Sequence, residues 1–313
     1  MISEKTIFSI IIPAYNATKF IEKCLLSVIN QTFTNYEIII TNDGSTDNLI
    51  EFIDVFKSKH SNIKLLLINQ NNNGIASARN TAIRNSNGIY LAFLDSDDVW
   101  YHNKLETCYE ILKNDPLIDL LYHDEIEIKK NKISVSNYGK LISPISEDLI
   151  FNGNRISTSA TIVKKEKSDL IGGFSENIKF NSAEDYDYWI RLAKENTTFF
   201  YLKKTLGEYH RLDNSITSRI EYHIENCFNV QEYHLISYLS NKESQNKKIA
   251  LKILLNLETN KNYTLARCYY RSNLKKLAIK KYLKVLKSNL LYIKAYLGIF
   301  QILCISPFKS LYK

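Results

Sequence analysis

Apolar residues along the first third of the chain fall into two recurring patterns. Residues 7–12, IFSIII, form a β-branched run that meets Pro13. An amphipathic stretch over 18–29 follows, with Phe20, Ile21, Leu25, Val28 and Ile29 at helical spacing. Strand, turn and helix then repeat. The pattern predicts a strand over 37–41, a helix over 47–59 with Asp47 placed to cap it, a strand over 63–68, a helix over 75–84 and a strand over 89–94. Continuous apolar strands alternating with amphipathic helices predict an α/β fold. Its mainly parallel sheet is covered by helices on both faces and joined by right-handed crossovers.

Ligands of such a sheet sit beyond the carboxyl ends of its strands. Three of those predicted ends are polar: Pro13, Tyr15 and Asn16 after the first, NDGSTD (42–47) after the second, and Asp95, Ser96, Asp97 and Asp98 after the fourth. Three separated segments are thereby predicted to meet at one rim. From about residue 216 the pattern changes to helix after helix, without a glycine until Gly298. Residues 263–302 alternate apolar and basic faces and resemble one tetratricopeptide-like hairpin. The chain is therefore divided into 1–215 and an all-helical region, 216–313.

Charge sharpens that division. The formal net charge of +8 hides 25 Lys+Arg against 31 Asp+Glu in residues 1–240, and 16 Lys+Arg against Glu243 and Glu258 in the remainder. Basicity belongs to the helical region. The five cysteines show no CxxC pair, which argues against a zinc ribbon or disulfide framework and fits a reducing cytosol. The N-terminal residues lack a signal-sequence pattern, and no apolar run reaches bilayer length.

The rim residues suggest chemistry. Asp95 and Asp97, two carboxylates one residue apart at a strand end, can face one divalent cation, and hard oxygen donors suit Mg²⁺ or Mn²⁺ shared with phosphate. Capping of the following helix by Asp97 or Asp98 is the competing use, and Asp98 can serve as the cap while Asp95 and Asp97 face the ligand. Asp43 can accept from a base or ribose, or simply stabilise an Asp-Gly turn with Gly44. Arg79, one turn into its helix, can reach phosphate or serve a surface ion pair. Glu184 and Asp185 precede an amphipathic helix, where a carboxylate can deprotonate a hydroxyl or complement the helix dipole.

Taken in order, SIIIPAYN (9–16), NDGSTD (42–47), NxGxxxARN (72–80), LDSDD (94–98), GGF (172–174) and EDYDYWIRL (184–192) resemble glycosyltransferase family 2, over about residues 5–215. The resemblance implies a GT-A, Rossmann-like fold and single-displacement, inverting transfer from a nucleotide diphosphate sugar. The donor class it favours is a UDP-hexose or UDP-N-acetylhexosamine. Pro13 and Tyr15 would frame the nucleoside, Asp43 would bond the base and Arg79 would lie near base or phosphate. Asp95, with Ser96, would face the ribose or metal side, Asp97 would be the main ligand of Mn²⁺ or Mg²⁺, and Asp185 would be the general base. The acceptor would be a glycan or a polyprenyl-linked sugar in polysaccharide assembly at the cell envelope. EYHRLDNSIT (208–217) departs from the family's usual order and leaves His210 and Arg211 as alternatives for metal or diphosphate.

The basic region can contact an anionic membrane from the cytoplasmic side, or present a solvated face. An oxidoreductase is disfavoured because PAYN replaces a GxGxxG turn, and nucleic-acid binding because the rim is acidic. A non-catalytic nucleotide-binding scaffold is the remaining alternative.

Overall fold

The computed structural model describes residues 5–129, 132–211, 219–241 and 243–304. Two compact units divide at Asp213 and Asn214. The first contains β1 (Phe8–Ala14), α1 (Ile21–Ile29), β2 (Tyr36–Asp43), α2 (Leu49–Lys59), β3 (Leu65–Gln70), α3 (Ile75–Arg84), β4 (Tyr90–Phe93), β5 (Val99–Trp100) and α4 (Lys104–Asn114). It continues with β6 (Leu120–Lys129), β7 (Lys132–Ser136), α5 (Ile145–Asn152), β8 (Thr161–Lys164), α6 (Lys165–Leu170), α7 (Glu184–Lys194) and β9 (Phe199–His210). The second comprises α8 (Ile220–Ser240), α9 (Lys247–Leu255), α10 (Leu257–Arg271), α11 (Lys275–Ser288) and α12 (Ile293–Cys304).

One nine-stranded sheet runs β3-β2-β1-β4-β8-β6-β9-β5, with β7 on β6. Every residue of β1 and of β4 is buried, which is why their apolar runs do not alternate with polar residues. β1 pairs parallel with β2 and β4, and β2 with β3. Beyond β4 the sheet becomes mixed: β8 is antiparallel to both β4 and β6, while β9 runs parallel to β6 and antiparallel to β5. This half is the part of the sheet that hydrophobic periodicity left unannounced. The core between the parallel strands and their helices includes Ile10, Ile12, Leu25, Ile38, Ile40, Ile53 and Leu105.

Two expected caps take other roles. Asp47 accepts from Thr18 N at 3.0 Å, fastening the first rim loop to the second, and α2 begins after Asn48. Asp98 lies before the short β5, not at a helix; α4 starts six residues later, behind Asn103. A lone strand residue pair such as Val99–Trp100 carries too little pattern to be separated from a helix start in sequence.

The second unit has its own core, built from Ile224, Leu265, Ala266, Tyr269, Ala278, Tyr282, Val285, Ala295 and Ile302. Among the described residues no helix is long and apolar enough to cross a membrane. The residues 212–217 that complete the EYHRLDNSIT motif lie outside the described residues.

Candidate active site

The rim is assembled by hydrogen bonds between loops. Asn16, at φ 50°, donates its N–H to Ser45 Oγ (2.9 Å) and accepts from Thr46 N (2.7 Å), so the loops after β1 and β2 are zipped together. Pro13 is buried within β1, and Tyr15 beside it is 51% exposed, an open ring at the rim. Asp43 is buried and accepts from Gln70 Nε2 (2.7 Å), Asn73 N (2.9 Å) and Gly74 N (2.8 Å). It thus holds the loop that opens α3. Gly44 and Gly74 stand at φ +71° and +90°, and a Cβ on Gly44 would come within 2.7 Å of Asn72 N.

Arg79 projects from α3 between two acidic segments. Its side chain is 2% exposed; Nη2 meets Asp95 Oδ1 at 2.7 Å and Nη1 meets Glu184 Oε1 at 2.6 Å. Phe174 lies under the guanidinium, 5.2 Å from its carbon. The expectation that placed Arg79 near base or phosphate therefore meets a group already engaged by two carboxylates. Its neighbour Asn80 binds the loop of GGF in both directions, donating to Phe174 O (2.9 Å) and accepting from Phe174 N (2.7 Å). The ARN, DSDD, GGF and ED motifs, scattered over more than 100 residues, are thereby joined by consecutive side chains of one helix.

Around Asp95 the acidic loop is braced from below. Ser159 Oγ accepts from Asp95 N (3.0 Å) and donates to Asp98 Oδ2 (2.5 Å), while Asp98 Oδ1 accepts from His210 N (2.8 Å). Ser159 O takes Trp100 Nε1 (2.8 Å) and Lys104 Nζ (2.7 Å), and Lys104 stacks 3.6 Å over the Trp100 ring. Burial pushes Lys104 down to about 7. Ser159 was invisible in sequence, being one hydroxyl in a run of Ser and Thr.

Ser96 and Asp97 form the turn and stay partly exposed. Burial, followed by the neighbouring Asp95, pushes Asp97 up to about 7. Asp185, at the first turn of α7, is likewise pushed up to about 7, by burial and then by Glu184, with Arg79 opposing. Its Oδ2 accepts from Asn154 Nδ2 (3.1 Å), and it keeps partial contact with water. Glu184 Oε2 is buried without a hydrogen-bond partner among the described residues.

This donor set fits a divalent cation. Asp95 and Asp97 are oxygen donors at one loop, and the burial and neighbouring Asp95 charge that push Asp97 up to about 7 are a cost that a bound cation would relieve. Among the described residues no third His, Cys, Asp or Glu completes a cluster with them, so substrate or water oxygens would fill the remaining positions. The His210 ring is engaged by Glu208, its Nε2 2.9 Å from Oε2, and both residues line a groove of about 540 Å³ with Trp100 and His102. Arg211 pairs with Glu127 at 3.2 Å.

Residues 9–134 match the model of "Glycosyl transferase family 2". The chain is 36% identical over 195 residues to the UDP-Glc:alpha-D-GlcNAc-diphosphoundecaprenol beta-1,3-glucosyltransferase WfgD of Escherichia coli, spanning 60% of this chain and 70% of that protein. The chain belongs to glycosyltransferase family 2. A further relative in the family, the chondroitin synthase of Escherichia coli, is 32% identical over 231 residues, or 71% of this chain but 32% of the synthase's own length. Two solved structures share the GT-A fold. TarS 1–349 of S. aureus in complex with UDP-GlcNAc has a TM-score of 0.66 at 19% identity, covering 90% of this chain and 81% of that one. The mannosyltransferase PcManGT of Pyrobaculum calidifontis, in complex with GDP-Man and Mn2+, has a TM-score of 0.63 at 16% identity over 99% and 84% of the two chains. The family match ends at residue 134, so Glu184 and Asp185 lie beyond it.

Proposed function

We propose that this family 2 glycosyltransferase moves a sugar from a nucleotide diphosphate donor to a glycan or lipid-linked acceptor with inversion, using Asp185 as the general base. The observation that carries the reading is the Arg79 bridge, which holds Asp95 of the acidic loop beside the Glu184–Asp185 pair. The bridge supports placing donor and base together, since it ties the loop after β4 to the start of α7 through α3. The UDP-Glc donor of WfgD and the UDP-GlcNAc bound to TarS support a UDP-linked hexose or N-acetylhexosamine.

The nucleoside would lie against Tyr15 and the Asp43 loop, with the diphosphate toward Asp95 and Asp97. Mn²⁺ or Mg²⁺ at those two carboxylates would neutralise charge accumulating on the departing diphosphate. Asp185 would take the proton of the acceptor hydroxyl. The hydroxyl oxygen forms the new bond to the anomeric carbon as the bond to the β-phosphate oxygen breaks, and that oxygen keeps the electron pair. A carboxyl pushed up to about 7 is matched to this work near neutral pH, because a base is most effective when its pKa lies near the working pH.

Asp185→Asn is expected to abolish release of UDP from UDP-sugar in the presence of acceptor, while UDP with Mn²⁺ still raises thermal stability. Asp97→Asn is expected to lose that metal-dependent stabilisation. Turnover surviving in the Asp185 variant would remove the base assignment; a variant that neither turns over nor differs from the parent in UDP binding confirms it. Failure of any nucleotide to stabilise the parent protein would favour no nucleotide site at all.

A further inference from the structure

The helical unit carries a surface that its own fold does not use. α11 buries Ala278, Tyr282, Val285 and Leu286, and turns Lys276, Lys280, Lys284 and Lys287 outward together with Leu283. These lysines follow one another at intervals of four, four and three residues, the spacing at which like charges repel along a helix. No ion pair joins a carboxylate to these four among the described residues; the neighbouring Lys281 is paired with Glu221, and Lys284 adds its field to Glu221 and Glu258 without a direct contact. From residue 259 onward the chain contains no Asp or Glu at all.

The turn from α11 to α12 breaks the usual polarity of turns. Asn289 supplies what it needs: its side chain accepts from Leu291 N (3.0 Å) and its carbonyl from Tyr292 N (3.1 Å). The two apex residues, Leu290 and Leu291, are 71% and 87% exposed, and support nothing inside. Lys287 and Lys294 flank them. α12 then buries Ala295 and Ile302 and exposes Ile293, Tyr296, Leu297, Phe300 and Leu303 beside Lys294 and Gln301, so its outer face is largely apolar too. Gly298 lets its inner face close on Tyr282, since a Cβ there would sit 2.3 Å from the ring.

An apolar tip bordered by exposed lysines that make no ion pair among the described residues selects among occupants. A second copy of this unit would set lysine against lysine, and an apolar protein groove would leave the lysines without partners. We infer that the α11–α12 turn and the outer face of α12 seat on an anionic lipid surface, Leu290, Leu291 and the α12 side chains entering the acyl boundary while the lysines meet the headgroups. Leucine and aromatic burial combined with anionic-headgroup attraction is how interfacial helices bind. The surface lies in the helical unit and stands independently of the transfer chemistry.

The full chain is tested by co-sedimentation with vesicles of phosphatidylcholine alone and with phosphatidylglycerol added, at low and high salt. Binding is expected with the anionic vesicles and to weaken in high salt. Lys284→Ser with Lys287→Ser should weaken it roughly 30-fold, about fivefold for each lysine. Leu290→Ser with Leu291→Ser should reduce it at least as much, with unchanged far-UV dichroism and melting because both leucines are exposed. Vesicle binding retained by both double variants overturns the inference. So does an oligomer of the parent chain that the leucine variant dissociates while no vesicle binding is seen.

Discussion

Arg79 shows how one side chain can decide what its neighbours do. A buried guanidinium held by Asp95 and Glu184 presents its fork to two carboxylates from different segments, a geometry the point charge of lysine does not reproduce. Arg79→Lys should therefore keep the fold but misplace the acidic loop against α7, and a misplacement near 1 Å lowers a transfer rate by about 100-fold. Single-turnover rates check this, alongside retained UDP binding. Arg79→Met leaves the buried Glu184 unbalanced and the part-exposed Asp95 without its partner, and a loss of about 3 kcal/mol, the low end for breaking a buried pair, is expected in urea unfolding. Protons give a second prediction. Asp97 and Asp185 are both pushed up to about 7, so the folded protein holds protons that an unfolded carboxylate, with a pKa near 4, has released. Their burial thus costs stability as pH rises from about 4 to 7, and the cost is complete above 7. Denaturant melts should show stability falling across that window, and Asp97→Asn with Asp185→Asn should flatten the fall. Activity moves the opposite way, since a base must be ionised: kcat/KM is expected to climb through pH 7.

At the scale of elements, the sequence was legible where one physical requirement acted alone. β1 and β4 throughout, and β2 from Ile38 onward, are buried on both faces, and their apolar runs said so within two residues of the observed ends. The polar ends of those strands do line one rim, as their position after parallel strands implied. Legibility failed where a residue answers to partners distant in the chain. Asp47 and Asp98 read as caps by local rules, yet each serves another loop, through Thr18 and through Ser159 and His210. β6 carries His123, Asp124 and Glu125 in its buried half, so its charged letters concealed a strand that the mixed sheet nevertheless encloses. Asp43 illustrates a residue whose two readings coexist: the carboxylate already fixes the α3 entry with three hydrogen bonds. Asp43→Ala should therefore release Asn73 and Gly74 N–H groups from their acceptor. A cost of about 1–3 kcal/mol is expected in denaturant unfolding, before any nucleotide is added.

For the whole molecule, the two compact units carry separate cores, Ile10–Ile40 and Leu25 neighbours in one, Leu265, Tyr282 and Val285 in the other. Every residue proposed to touch the donor, from Pro13 to Asp185, belongs to the first, and the lysine-bordered leucine turn belongs to the second. A ligand that binds a native unit raises the stability of that unit alone when each has its own core; at 100 times its dissociation constant the gain is about 2.7 kcal/mol. Calorimetry of the full chain should then resolve two transitions. UDP with Mn²⁺ is expected to move one of them upward and anionic vesicles the other, with neither ligand moving both. Asp97→Asn should cancel the first shift and spare the second, while Leu290→Ser with Leu291→Ser should do the reverse. A single transition that either ligand displaces would mean that the units unfold as one cooperative body.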